Sequence, residues 1–378
     1  MPPEPHGGAT PVRAQLETLH RELGLEIEGL DRVAVALHDS ATGGLRTFVH
    51  STHGPAPFAL YEVPLEHVSS LVELAESGTD RIVDDLRVFA GSPSAHSRLL
   101  LSRGFRSSYT RPFFEGGRLA AFVFFDSLRT GAFRPPPPWR LAALAELVHL
   151  RVAAALAPAR SLRGAVALAR EVTRLRDEET GAHLERMSRY ARLIAREVAG
   201  REGRDDEFAE FVHLLAPVHD VGKIGIPDQL LLKPARLEPG EIEAMRRHVE
   251  RGLEMVELLA HSFELAHDAH LGMMRNIVAA HHERVDGSGY PAGLTGAEIP
   301  LEARVVAVAD VFDALTSVRP YKPAWSNDEA FVHLEELAGH TLDAECVHAL
   351  ATRRAEVEQI QDRFRDPPSS GAFDLNEV

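Results

Sequence analysis

The chain has one cysteine, Cys346, in 378 residues, which excludes an intramolecular disulfide and any all-thiolate zinc site. A buried apolar thiol in a reducing compartment is the simplest reading. Positive charge is also short: the formal net charge is −15, which argues against duplex DNA or an anionic membrane as a partner. A small phosphate ligand stays open where local cations receive it. Long apolar runs are missing too. The most apolar stretch, Leu141 to Ala157, carries Glu146, His149 and Arg151, and the first residues, MPPEPHGGATPVR, hold no apolar segment of signal-peptide type. The expectation is a cytoplasmic protein with no membrane span. What is present is 44% hydrophobic and 26% charged residues, the balance of a globular protein, in a length that suggests two domains. There are also 20 histidines, about twice average usage.

From Arg13 to Ile27 the apolar positions Leu16, Leu19, Leu23 and Ile27 recur at three- and four-residue spacing and predict a helix. Val33, Val35 and Leu37 alternate with alanine ahead of Thr42-Gly43-Gly44, the pattern of a strand entering a hairpin. Leu119 to Phe125 is short and aromatic-rich and follows Glu115-Gly-Gly, so it reads as a central strand. This first region is therefore expected to be α+β, and the prolines Pro135 to Pro138 close it. Beyond them Leu141, Ala145, Val148 and Val152, then Leu162, Val166, Ala169 and Val172, predict a long connecting helix kinked at Pro158. Its stripe either pairs two subunits or packs on its own domain. From Glu179 to Arg365 the pattern is helical with no strand, and the Pro-, Ser- and Gly-rich acidic tail is expected to be loose. The expected divisions are 1–138 (α+β), 139–178 (connecting helix), 179–366 (all-α bundle) and 367–378 (tail).

Three His-Asp dipeptides occur, so the pair alone carries little weight. His38-Asp39, at a turn, and His267-Asp268, between helices, read as surface residues. His219-Asp220 differs: it ends the apolar stretch FVHLLAPV and precedes Val-Gly-Lys-Ile-Gly-Ile-Pro, where Gly222 and Gly225 loosen the backbone and Lys223 adds a cation suited to phosphate. An acid at a buried helix end needs compensation, which a metal ion supplies. Glu179 and His183, four apart, share one helix face and can grip one ion. His281-His282 ends the run Ile277-Val-Ala-Ala, and Asp310 sits inside an apolar run where it needs a cation or donors. His248, on a helix expected to begin near Pro239 without a Ser or Thr cap, is the least distinctive. His261, His267 and His270 read as a solvated connection.

The order Glu-xxx-His, HDVGKIGIPD, His, HHERVDGSGYP and VADVFDALTSVRPYK resembles the HD-GYP phosphodiesterases, the bacterial His-Asp metal hydrolases that open cyclic di-GMP. The resemblance covers about Ala165 to Ala330. It implies that His219, Asp220, His248, His281, His282 and Asp310 are metal ligands, with Asp220 bridging two ions. Glu179 and His183 would complete a third site, so a divalent cluster of two or three ions, iron or manganese, is expected. Three such ions against the three carboxylates leave a positive centre inside an acidic protein, suited to a phosphodiester. The implied reaction is in-line attack on phosphorus by a metal-bridged hydroxide, giving pGpG and/or GMP, with Asp220 and Lys223 as catalytic residues. Lys223, Gly289, Tyr290, Pro291, Asp313, Arg319 and Lys322 match positions that shape the pocket or contact the dinucleotide, and Tyr321 could stack.

The first region, from about Ala14 to Leu156, resembles a GAF sensor domain. The features that carry this are Asp80-Arg-Ile-Val-Asp-Asp-Leu86, His96-Ser-Arg-Leu-Leu100, Gly104-Phe-Arg-Ser-Ser-Tyr109 and Gly117 to Asp126. It implies a six-stranded sheet with flanking helices, an unidentified small ligand and a homodimer; His96 reads as a polar loop residue. A silent cyclic di-GMP receptor, or a hydrolase of another cyclic dinucleotide, are the competing readings.

Overall fold

Leu16, Leu19, Leu23 and Ile27 are all buried, and the helix they predict is α1 (Pro11–Glu26). The computed structural model describes residues 11–53, 61–91, 95–134, 137–172, 181–233, 235–262, 270–318 and 323–366. The chain divides within one long helix: residues through Ala157, with Arg204–Glu207, form one unit, and Pro158–Gly203 with the residues from Phe208 form the other.

In the first unit the alternation of Val33, Val35 and Leu37 becomes β1 (Arg32–Asp39), which turns through the positive-φ Gly43 into β2 (Gly44–Thr52). Then follow β3 (Glu62–Pro64), α2 (Ser69–Ser77), β4 (Arg81–Val83), α3 (Ala95–Ser102), β5 (Ser107–Glu115) and β6 (Arg118–Ser127). These strands form one six-stranded antiparallel sheet in the order β3-β2-β1-β6-β5-β4, so the aromatic run Leu119–Phe125 is central, as expected. Period 2 sends Ala34, Ala36, Phe122 and Phe124 to the face covered by Leu71 and Leu74 of α2. Arg32 and Asp126, directly opposite across β1 and β6, form a buried ion pair. His38 and Asp39 are half-buried, the acid 3.3 Å from Arg46, which corrects their reading as surface residues.

The last of the prolines, Pro138, opens α4 (Pro138–Val172), where a missing N–H costs nothing in a first turn. Leu141, Ala145, Val148, Val152 and Leu156 are at most 2% exposed within the single chain, and His149 stacks on Phe113 of β5 at 4.3 Å. That half of the stripe therefore packs on its own domain and is not a surface for pairing subunits. Over Pro138–Ala165 this helix is long and apolar enough to cross a bilayer by length and composition, the one such helix among the described residues.

The second unit is helical: α5 (Gly181–Ala199), α6 (Asp206–Leu215), α7 (Asp228–Leu231), α8 (Pro239–Arg246), α9 (His248–Ser262), α10 (His270–Ala280), α11 (Leu301–Thr316), α12 (Asn327–Leu337), α13 (Ala344–Ala351) and α14 (Arg354–Arg363). No strand occurs among its described residues. Val305, Val306, Val308, Ala309 and Phe312 bury nearly the whole circumference of α11, which packs against α5, α10 and α12. Cys346 is fully buried in α13. The helix expected to run from Pro239 through His248 is two helices, because α8 ends at Arg246 and α9 begins at His248. The missing Ser or Thr cap is replaced by Glu241, whose carboxylate accepts the Glu238 N–H at 2.8 Å. His270 opens α10 and stacks on Phe211 at 3.3 Å, so it is not part of a solvated connection.

Candidate metal centre

After α6 a 3-10 turn, Ala216–Val218, delivers His219, and a second, Val221–Gly225, follows Asp220. Gly222 is needed there for close approach, not for looseness as its sequence context suggested. A Cβ on it would stand 1.9 Å from the His248 carbonyl oxygen and 2.4 Å from the Gly252 nitrogen. A Cβ on Gly252 already meets Val278 of α10 at 2.7 Å. Two small residues thus draw the Asp220 turn onto the start of α9, and α9 onto α10, whose end carries His281 and His282. Helices α5 and α11 add His183 and Asp310.

These side chains form two groups. Asp220, His248, His281 and His282 offer ligand atoms within 4.8 Å of one another, and so do His183, His219 and Asp310. Asp220 stands at the centre, with Oδ1 3.2 Å from His248 Nε2 and 3.6 Å from His281 Nε2, and Oδ2 3.2 Å from His219 Nε2. Asp310 Oδ1 lies 3.9 Å from His183 Nε2 and 4.0 Å from His219 Nε2. The far nitrogens are tied down: Nδ1 donates to Ala216 O (2.9 Å) in His219, Met245 O (2.9 Å) in His248 and Ile277 O (3.0 Å) in His281. A carbonyl only accepts, so each Nδ1 carries a proton, and each ring turns its Nε2, the remaining ligand atom, inward. The buried Nε2 atoms of His248 and His281 and Oδ1 of Asp220 have no hydrogen-bond partner. Electron-pair donors facing one another at such distances repel unless a cation joins them. The donors present therefore fit divalent metal ions.

The titration behaviour agrees. Burial pushes the Asp220 carboxyl up, but Lys223, His219 and His281 outweigh it and hold it well below the usual carboxylate range. Burial lowers His248, and burial with the neighbouring His281 lowers His282 to about 2, so both rings are neutral and available as ligands at physiological pH.

Residues 174–346 match the HD domain family, a span that contains every residue of the two donor groups. That span is a little under half of the chain, and the proteins similar to it include curated cyclic di-GMP phosphodiesterases. The chain is 47% identical over 189 residues to the cyclic di-GMP phosphodiesterase response regulator RpfG of Xanthomonas campestris, a match covering 50% of this chain and 47% of that protein. A 3'3'-cGAMP-specific phosphodiesterase 2 of Vibrio cholerae is 36% identical over 191 residues, 50% of this chain and 34% of that protein. The chain thus spans about half or less of the length of these relatives. A solved GAF domain/HD domain protein from Geobacter sulfurreducens is 16% identical, with a TM-score of 0.30, over 38% of this chain and 90% of that one. The first unit is a six-stranded antiparallel sheet with flanking helices, the architecture that the sequence resemblance implied.

In the helical unit Lys223 Nζ sits 2.7 Å from Asp220 Oδ2, at the rim of the centre. Gly289 lets the loop after His282 fold back, since a Cβ there would lie 2.4 to 2.7 Å from the backbone of Glu283 and Arg284. Tyr290 stacks on His282 at 4.7 Å with Arg246 over its ring at 4.7 Å, and Pro291 is exposed beside it. Asp313, expected to contact the dinucleotide, is corrected: it is fully buried, and its oxygens take His183 Nδ1 (2.7 Å), Arg186 Nε (2.7 Å) and Ser317 Oγ (3.0 Å). His183 and Arg186 hold its pKa down against burial. Glu179, Arg319, Tyr321, Lys322, His267, Asp268 and the His96 side chain lie outside the described residues. Sequence reasoning missed Glu283, a buried acid that accepts the N–H groups of Ala292 (2.7 Å), Gly293 (3.1 Å) and Leu294 (3.0 Å) and pins the Gly-Tyr-Pro loop. Its only signal was an acid directly before a glycine-rich loop. Arg186 and Arg246 gave none.

Proposed function

We propose that the C-terminal unit is a metal-dependent phosphodiesterase that hydrolyses cyclic di-GMP to pGpG and/or GMP, and that the GAF-like unit regulates it through a small ligand. The observation that carries this reading is the meeting of two donor groups at Asp220, beside an exposed aromatic loop and a lysine. Asp220, His248, His281 and His282 would hold one ion and His183, His219 and Asp310 another, Asp220 reaching toward both. Glu179 is proposed to extend the cluster to three. Iron or manganese suits imidazole and carboxylate donors without thiolate. When bound, such ions supply Lewis acidity toward a phosphoryl oxygen and lower the pKa of water.

The chain's own groups do the rest. Hydrolysis breaks the bond from phosphorus to a ribose 3′ oxygen and adds water, so the leaving oxygen must gain a proton and the phosphoryl charge must be met. Lys223 meets that charge as a compact cation with three donors. Tyr290 offers a ring face to a guanine, Gly289 and Pro291 hold the loop open to it, and Arg319 and Lys322 complete the phosphate and base contacts. The reading also includes a cytoplasmic homodimer. The relative specific for 3'3'-cGAMP favours a second reading, the same chemistry on a mixed cyclic dinucleotide. Chromatography of products from manganese-reconstituted full-length protein, given each dinucleotide separately, is the test. Linear pGpG or GMP from cyclic di-GMP is expected; cleavage of the mixed dinucleotide alone selects the second reading, and binding of cyclic di-GMP without product makes the protein a receptor.

A further inference from the structure

The imidazoles of His183, His219, His248 and His281 are not held alike at Nδ1. His219, His248 and His281 donate to carbonyls three or four residues back, so their aim comes with their own turn of backbone. His183 instead engages a carboxylate 130 residues away, Asp313 Oδ2, at 2.7 Å. That carboxylate is gripped in turn by Arg186, with Nε to Oδ1 at 2.7 Å and Nη2 to Oδ2 at 3.0 Å, and Arg186 Nη2 also reaches Ser317 Oγ at 2.8 Å. The last arm of the same guanidinium donates to the Phe364 carbonyl at 2.9 Å and pairs with Asp366 at 3.1 Å, just past α14. Asp313 and Arg186 are 0% and 5% exposed, so this is a built, desolvated fork and not a surface pair.

We propose that Asp313, clamped by Arg186, is the positioning residue of His183 and makes filling of the His183–His219–Asp310 group depend on the segment after α14 staying docked. The proposal rests on the metal-centre reading above and deepens it. The group around Asp220, His248, His281 and His282 is aimed by local backbone and fills by itself. The His183 group has one ligand fewer and one ligand aimed at long range, so it fills second and only when Arg186 is held. A carboxylate behind the ring also raises the basicity of His183 toward an ion.

The experiment is a titration of the metal-free full chain with Mn²⁺, following occupancy by elemental analysis and by the electron paramagnetic signal of coupled ions. The wild type is expected to bind in two steps. Asp313→Asn should weaken the second step by about 10–100-fold, leave the first unchanged, and abolish the coupled signal. Ser317→Ala, which keeps the carboxylate and removes one bond to it, should weaken the second step by about 2–10-fold. Should Asp313→Asn not fold, Ser317→Ala and Asp366→Asn at the edges of the network carry the same comparison. Two unchanged steps in these variants, or equal weakening of both, would overturn the proposal while leaving the metal centre standing. A wild type that binds no manganese at all would instead remove the centre itself.

Discussion

Both units bury an ion pair, Arg32 with Asp126 in one and Arg186 with Asp313 in the other, but among the described residues the helical unit alone adds a convergent donor cluster. The sheet unit hides an ion pair, Arg32 with Asp126, and fills the rest of its interior with Phe122, Phe125, Val33 and their neighbours. The helical unit hides imidazole nitrogens and a carboxylate turned toward one another, with no hydrogen-bond partner at His248 Nε2, His281 Nε2 or Asp220 Oδ1. Single scattered atoms without a partner, such as Asp126 Oδ1 in the sheet unit, belong to scaffold; four donors converging on one point are arranged for a cation that joins them. This contrast can be broken most sharply at Asp220. Asp220→Ala should lower kcat/KM for the dinucleotide by on the order of 10³-fold, about 4 kcal/mol of barrier, and lower metal content with it, without unfolding the sheet unit.

The mirror experiment in the sheet unit is Asp126→Ala, which strands the buried Arg32 and should cost about 3–5 kcal/mol of stability, read by denaturant midpoint, while metal content per folded chain is unchanged. Next in size come two glycines. Gly222→Ala must push the Asp220 turn off α9 and should cost about 1–3 kcal/mol together with most of the activity. Gly116→Ala, at φ +56° in the β5–β6 turn with nothing within 4 Å, should cost only about 1 kcal/mol of backbone strain and spare turnover.

How much of this was legible in the chain depends on reach. The members of the two donor groups were readable because their signals are local: a His-Asp pair after an apolar helix, two adjacent histidines before a glycine-rich loop, an acid in an apolar run. The strands of the sheet were equally local, since β1 and β6 alternate or run apolar as their places in the sheet require. What escaped were contacts with no local trace. Asp313 lies three residues after Asp310 on α11 and was expected to contact the dinucleotide, yet that spacing turns it inward to His183 on α5. Gly222 reads as a flexible residue until the helix 26 residues further along is seen against it. The break between α8 and α9 has no proline or glycine at Arg247 to announce it. The buried stripe of α4 fits a subunit seam and a core seam equally well by spacing.

The comparison also extends to the effect of pH on the metal-free protein. His248 and His282 in the helical unit, and His50 in the sheet unit at about 4, all have pKa values lowered chiefly by burial. A folded-state value below the unfolded one means that the unfolded chain takes up protons first, so stability is full above pH 6.5 and falls as pH drops below it. Denaturant midpoints of the metal-free protein should therefore decline from pH 7.5 to pH 5. His50→Gln should flatten only the share that belongs to the sheet unit.

The central claim is that buried histidines and acids from α5, α9, α11 and the turns after α6 and α10 converge on divalent cations. Anomalous diffraction at the manganese edge, from crystals of the full chain grown with Mn²⁺, tests it most directly. The account predicts a strong peak among Asp220, His248, His281 and His282 and a second among His183, His219 and Asp310. Side chains in the arrangement described, with no anomalous density among them, would contradict it.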